Sequence, residues 1–125
     1  MNILFIRDIR RYIIKFQIGV VCSKFPNIDI AAKEDAPVKS VLDGKVISAS
    51  YTLETGYVIE VQHKNDLVSI YKHNSKLLKK PGNFVKAGEV IAFVGNTGTL
   101  SSGPHLHFEL WHDGRSLNPK DYIVF

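Results

Sequence analysis

The spacing of turns constrains this chain more than any other feature. From Pro26 onward, short apolar runs are cut at brief intervals by Gly, Pro, Asn and Asp, and no stretch keeps a helical period beyond about two turns. Runs that short, with β-branched residues set against polar ones, read as strands. YVIEVQH places Val58, Glu60 and Gln62 on one face and Ile59, Val61 and His63 on the other. LVSIYKH follows after the polar KND, so these two runs pair as a hairpin. PVKSVLDGKVISASY carries Val38, Val41, Val46 and Ile47, with Asp43-Gly44 placed as another hairpin turn. Val90 to Val94 and HLHFELWH, which ends at Asp113-Gly114, supply further strands, whereas KLLKKPGN predicts a short helical turn stopping at Pro81-Gly82. The predicted class is mainly β, an antiparallel sandwich or barrel.

A chain of 125 residues fits one domain, or a fragment of one. The formal charge of +4 resides in residues 1–24, where Arg7, Arg10, Arg11, Lys15 and Lys24 face only Asp8. The remainder is balanced, so no nucleic-acid surface is expected there. Within the leader the longest uncharged stretch is FQIGVVCS, far short of the ~18–20 residues that span a bilayer, and the charges at 7–11 interrupt any signal-peptide core. Residues 1–20 therefore read as a leader or edge strand, with YIIKF and GVVCSKF as strand candidates, and 21–125 as the domain. A membrane-surface helix and a ragged start left from a longer parent chain are the alternatives; membrane contact would come through this leader or a missing N-terminal segment. The single Cys22 allows no internal disulfide and no Cys-rich zinc site, so it does not report the compartment.

Chemistry concentrates in GPHLHFEL. His105 and His107, two apart on a strand, project from one face, while Leu106 and Phe108 point into a core. By themselves the two imidazoles could hold a metal, move a proton or fill space. His73 ends the LVSIYKH strand, and Asp29 sits between Ile28 and Ile30, where a buried carboxylate is costly without a cation or donors. Plainer readings make Asp29 a turn or N-cap carboxylate and His73 a surface strand end. His63 and His112 lie near turns and are expected to be solvent-exposed.

The segment GNFVKAGEVIAFVGNTGTLSSGPHLHFEL, together with YKH and IDIAA, resembles the lysostaphin-type (LytM) zinc metallopeptidases of the bacterial envelope. The likeness runs from about residue 21 to the end, and its Tyr-x-His, Gly-Pro-His-x-His and Asn-Pro elements follow the family's order. It implies an antiparallel β fold with a groove, cleavage of peptide cross-links in peptidoglycan, and an envelope location. By position, Asp29 and His107 match metal ligands, and His73 and His105 match the histidines serving water and oxyanion. An open catalytic zinc takes three protein ligands and leaves a fourth position for water.

The first motif of that family, His-x-x-x-Asp, is broken. Phe25 stands where the third ligand belongs, and Asn27 replaces the usual Gly. Phenylalanine cannot bind zinc. Cys22 is the best chemical substitute, but it lies seven residues before Asp29 and nothing in the sequence brings it close. Two readings follow from the resemblance. One is a zinc endopeptidase, weakened or silenced by Phe25; the other is a non-catalytic module that binds peptidoglycan or regulates a partner cell-wall hydrolase. FVKAGEVIAFVG also resembles the hairpin of biotinyl and lipoyl carrier domains, but no lysine occupies the turn such domains need, and the only methionine is Met1.

Overall fold

The computed structural model describes residues 21–24, 27–98 and 104–118, with 21–31 given as backbone alone. The predicted leader over 1–20, Phe25 and the C-terminal Pro119 to Phe125 lie outside the described residues. Among the described residues ten strands run β1 (Val21–Lys24), β2 (Asn27–Ala31), β3 (Pro37–Lys39), β4 (Gly44–Thr52), β5 (Gly56–Gln62), β6 (Leu67–Leu77), β7 (Phe84–Val85), β8 (Val90–Val94), β9 (His105–His112) and β10 (Arg115–Leu117). No helix among them is long and apolar enough to cross a membrane.

All the pairings are antiparallel and join one sheet in the order β1-β2-β9-β6-β5-β4-β7. Strand β10 also pairs β9, and β8 pairs both β3 and β6. Two strands change neighbours along their length. β9 meets β2 through His105–Glu109 and β10 through Leu110–His112; β6 meets β9 through Leu67–Lys72 and β8 through Asn74–Leu77. The sheet curls into a half-barrel around a single apolar cluster, as the mainly-β expectation requires.

The core follows from period-two alternation. Leu106, Phe108 and Leu110 are fully buried on one side of β9, and Ile59, Val61 and Tyr71 pack with them. The Tyr71 and Phe108 rings lie 5.4 Å apart. The Tyr71 hydroxyl accepts the Val41 N–H at 3.1 Å, and burial pushes its phenol up to about 12. Tyr71 is therefore a core anchor.

Three local expectations are corrected. Asp43-Gly44 does not close a hairpin, because β3 pairs with β8 while β4 pairs with β5 and β7. Burial of Val38 and Val41, with Ser40 N–H donating to the Glu89 carbonyl at 3.0 Å, carries the chain toward β8. KLLKKPGN forms no helix: Lys76 and Leu77 extend β6 against Phe93 and Ala92, and the turn is closed by Asn83, whose side chain accepts from Lys80 N–H at 2.8 Å. The KND turn between β5 and β6 does form as expected, at Lys64–Asp66.

His63 is the third correction. It is buried, with 5% exposure, and His112 is half-buried. The His63 Nδ1–H donates to the Asp43 carbonyl at 2.8 Å, and Nε2 accepts from the Ser69 hydroxyl at 2.7 Å. Loss of water around the charged ring lowers the pKa of His63 below its usual 6.5, against a smaller upward pull from the Asp43 carbonyl. The contribution of the neutral ring is thus complete above the unfolded value of 6.5. It is lost as pH falls through the depressed folded value, because only the unfolded chain takes up the proton. Denaturant titrations across this window should show stability declining with acidity. His63→Asn should flatten that part of the slope whatever its absolute stability, and an unchanged slope would exclude His63 as its source.

Candidate functional site

The neighbour change in β6 builds the site. Lys72 is the last residue paired with β9, opposite His107, and Asn74 the first paired with β8, opposite Val94. His73 sits between them with φ +61, a left-handed conformation uncommon outside Gly, though Asn, Asp and His adopt it more often than other residues. Such irregularities re-aim a side chain next to active sites. Here the His73 ring lies 5.7 Å from that of His105 and 5.8 Å, edge-on, from that of His107. The surface-strand-end reading fails, since His73 is only 5% exposed.

Hydrogen bonds set which ring nitrogen holds the hydrogen. His73 N–H donates to the Thr55 carbonyl at 3.0 Å, and its Nδ1 lies 2.7 Å from the Thr97 carbonyl. A carbonyl only accepts, so Nδ1 carries the hydrogen and Nε2 the lone pair of the neutral ring. Thr97 is itself fixed: its hydroxyl donates to the Asn74 carbonyl at 2.5 Å and accepts the Tyr57 N–H at 3.2 Å.

On β9 the alternation that buries Leu106 and Phe108 puts His105, His107, Glu109 and Trp111 on the opposite face. Glu109 Oε2 accepts from His107 Nε2 at 2.8 Å and from Lys72 Nζ at 2.7 Å, and Oε1 accepts from Trp111 Nε1 at 2.9 Å. Burial would raise the Glu109 pKa, but bonds from His107, Lys72 and Trp111 together outweigh it and hold the carboxyl at about 2. Glu109 is thus ionised and His107, like His73, has a defined tautomer.

Asp29 lies in β2 directly opposite His107, and Cys22 lies in β1 directly opposite Asp29. Cys22, Asp29, His107 and Lys72 form one backbone row across four strands, with about 4.5–5.5 Å between the Cα atoms of each pair. Asp29 is therefore a strand residue, not a turn or N-cap. The seven-residue separation between Cys22 and Asp29 is closed by the β1–β2 hairpin.

For zinc, the donor chemistry fits on two counts: a carboxylate-bearing position in register with a histidine, and Nδ1 as the electron-pair atom of that neutral histidine. Among the described residues no group of three or more His, Cys, Asp or Glu is arranged to hold a metal, and the side chains of Cys22 and Asp29 fall outside that set. A cavity of about 830 Å³ opens elsewhere, bounded by Leu42, His63, Leu67, Phe84 and Val85. It includes none of His73, His105 and His107, so the chemistry is read from the histidine cluster.

Sequence reasoning missed Lys72, Thr97, Glu109 and Trp111. Glu109 and Trp111 were within reach, because the period that pairs His105 with His107 continues to them. Thr97 was not, since its partnership with His73 spans 24 residues through a β-bulge.

Comparison with known proteins supplies the context. The profile of peptidase family M23 matches residues 24–119. The chain is similar to the murein hydrolase activator NlpD of Escherichia coli, 39% identical over 97 residues that cover 77% of this chain and 25% of that protein. It spans about a quarter of the length of such curated relatives. Among solved structures it is similar to a zinc containing peptidase from Vibrio cholerae, with TM-score 0.71, 39% identity, and coverage of 74% of this chain and 28% of that one. The catalytic domain of lysostaphin from Staphylococcus simulans gives TM-score 0.73 at 26% identity, covering 91% and 93%.

Gly56 tests the His73 support. It has φ +67, and an added Cβ would collide with Thr97. Gly56→Ala should cost about 1–2 kcal/mol for the left-handed backbone alone, read by denaturant unfolding. It should also loosen the Thr97 bond to His73, seen as mixed ring tautomers by nitrogen NMR. A folded variant with an unaltered His73 spectrum would remove Thr97 from the site.

Proposed function

Because the chain belongs to peptidase family M23, we propose that it acts on the peptide part of peptidoglycan in the bacterial envelope, as a zinc-dependent endopeptidase whose metal site is weakened by Phe25. The observation that carries this reading is the convergence of His73, His105 and His107 beside the Asp29–His107 pair. Asp29 and His107 would hold the metal. A zinc ion, when bound, polarises the scissile carbonyl and lowers the pKa of water to about 7.

The chain's own groups do the rest. His73, with Nδ1–H fixed on Thr97, offers Nε2 to take up or return a proton. Once protonated, that same nitrogen becomes a donor to negative charge developing on the substrate oxygen. His105, 5.7 Å away, is the second imidazole for this proton traffic. Dividing the two tasks between two rings lets one be basic while the other is acidic.

Phe25 favours a second reading. Disturbing even an outer partner of a zinc ligand costs about 10–100-fold in affinity, and losing a ligand costs at least that. A module left with Asp29 and His107 would bind peptidoglycan, or regulate a partner hydrolase, without cutting. The similarity to NlpD, named as a murein hydrolase activator, supports that alternative.

Zinc content of purified protein, measured by elemental analysis, separates the two. The endopeptidase reading expects about one zinc per chain, lost in Asp29→Ala and His107→Ala and more tightly held in Phe25→His. Cys22→Ser, run alongside, reports any thiolate contribution. Release of peptidoglycan fragments should then fall about 10²–10⁴-fold in His105→Ala. Sacculus binding and stimulation of an added hydrolase, without zinc or fragment release, would establish the regulatory reading instead.

A further inference from the structure

We propose that Glu109 is the positioning residue of this site: its carboxylate, anchored by Lys72 and Trp111, sets the orientation and tautomer of the His107 ring. The claim rests on the metal reading only for its consequence, since the geometry is independent of any ion.

Three donors meet one carboxylate. Lys72 Nζ and Trp111 Nε1 can only donate, and an ionised carboxylate only accepts. Lys72 lies 2.7 Å from Oε2 and Trp111 Nε1 lies 2.9 Å from Oε1, so both oxygens are tethered. With 8% side-chain exposure the group has little room to swing. The atom facing His107 Nε2 at 2.8 Å is therefore fixed, and Nε2 must carry a hydrogen. The lone pair of the neutral ring then sits on Nδ1. Carboxylates placed this way behind a metal-binding histidine orient the ring and raise its basicity.

The arrangement carries a counterweight. Lys72 and His107 share the same oxygen, Oε2. Lysine therefore draws off part of the negative charge that would otherwise strengthen His107. Lys72, opposite His107 in the sheet register, is the residue that tempers the site.

The test uses the full chain. Long-range proton–nitrogen NMR of metal-free protein reads the His107 tautomer, and chelator competition reads Zn²⁺ affinity. The wild-type chain should show hydrogen on Nε2. Glu109→Leu should give mixed tautomers and about 10–100-fold weaker zinc binding. Glu109→Gln, which keeps an accepting oxygen, should restore the tautomer and part of the affinity. If Glu109→Leu does not fold, Trp111→Phe carries the test, with a partial tautomer shift expected. A folded Glu109→Leu or Trp111→Phe chain with the wild-type His107 spectrum overturns the proposal. A shifted tautomer in a protein that binds no zinc supports Glu109 as positioning residue and removes the metal reading instead.

Discussion

The structure turns on the place where β6 exchanges one neighbour for another. Backbone groups in a sheet must find partners, and β6 finds them in β9 over Leu67–Lys72 and then in β8 over Asn74–Leu77, with its register against β5 shifting between Tyr71 and Asn74. The extra residue at the junction is His73, and its left-handed backbone turns the ring toward β9. The next residue secures the kink: Asn74 Nδ2 donates to the Tyr71 and Tyr57 carbonyls at 2.9 and 3.0 Å. The irregularity is thus tied to its own strand and to β5. Its strain, of order 1–3 kcal/mol for such conformers, is sustained by bonds that a regular strand would not have.

Around that kink the charges are balanced locally. Lys72 and Glu109 offset one another beside His107, which meets the same carboxylate oxygen as the lysine. By its position in the sequence, Phe25 belongs with the first hairpin and not with the histidine cluster. On the endopeptidase reading, proton transfer would draw on His73 and His105 of β6 and β9 with the loop at Thr97, whereas metal capture would draw on Asp29 of the first hairpin and His107 of β9. On that reading Phe25 would bear on the ion and not on His73 or His105.

What could be read from the sequence divides along the range of the interactions. Strand β9 was legible because alternation is local: Leu106, Phe108 and Leu110 announce a buried face, and His105 and His107 the other. The β5–β6 hairpin was legible for the same reason. The partner of β3 was not, because Asp43-Gly44 looks like a hairpin turn until Val38 and Val41 commit to the core beside β8. His63 was misread as exposed because proximity to a turn says nothing of Ser69 and Asp43 closing over it. The site residues stand out in the sequence itself, their separate roles follow from the resemblance, and the contacts that fix their ring nitrogens come only from the fold.

Among the described residues the β1–β2 hairpin stands at the end of the sheet order and joins the rest through the pairing of β2 with β9. Any ion held between Asp29 and His107 would bridge the β2–β9 seam. Occupancy and edge cohesion would then be a single reciprocal equilibrium, so that docking this hairpin and capturing the cation become one thermodynamic event.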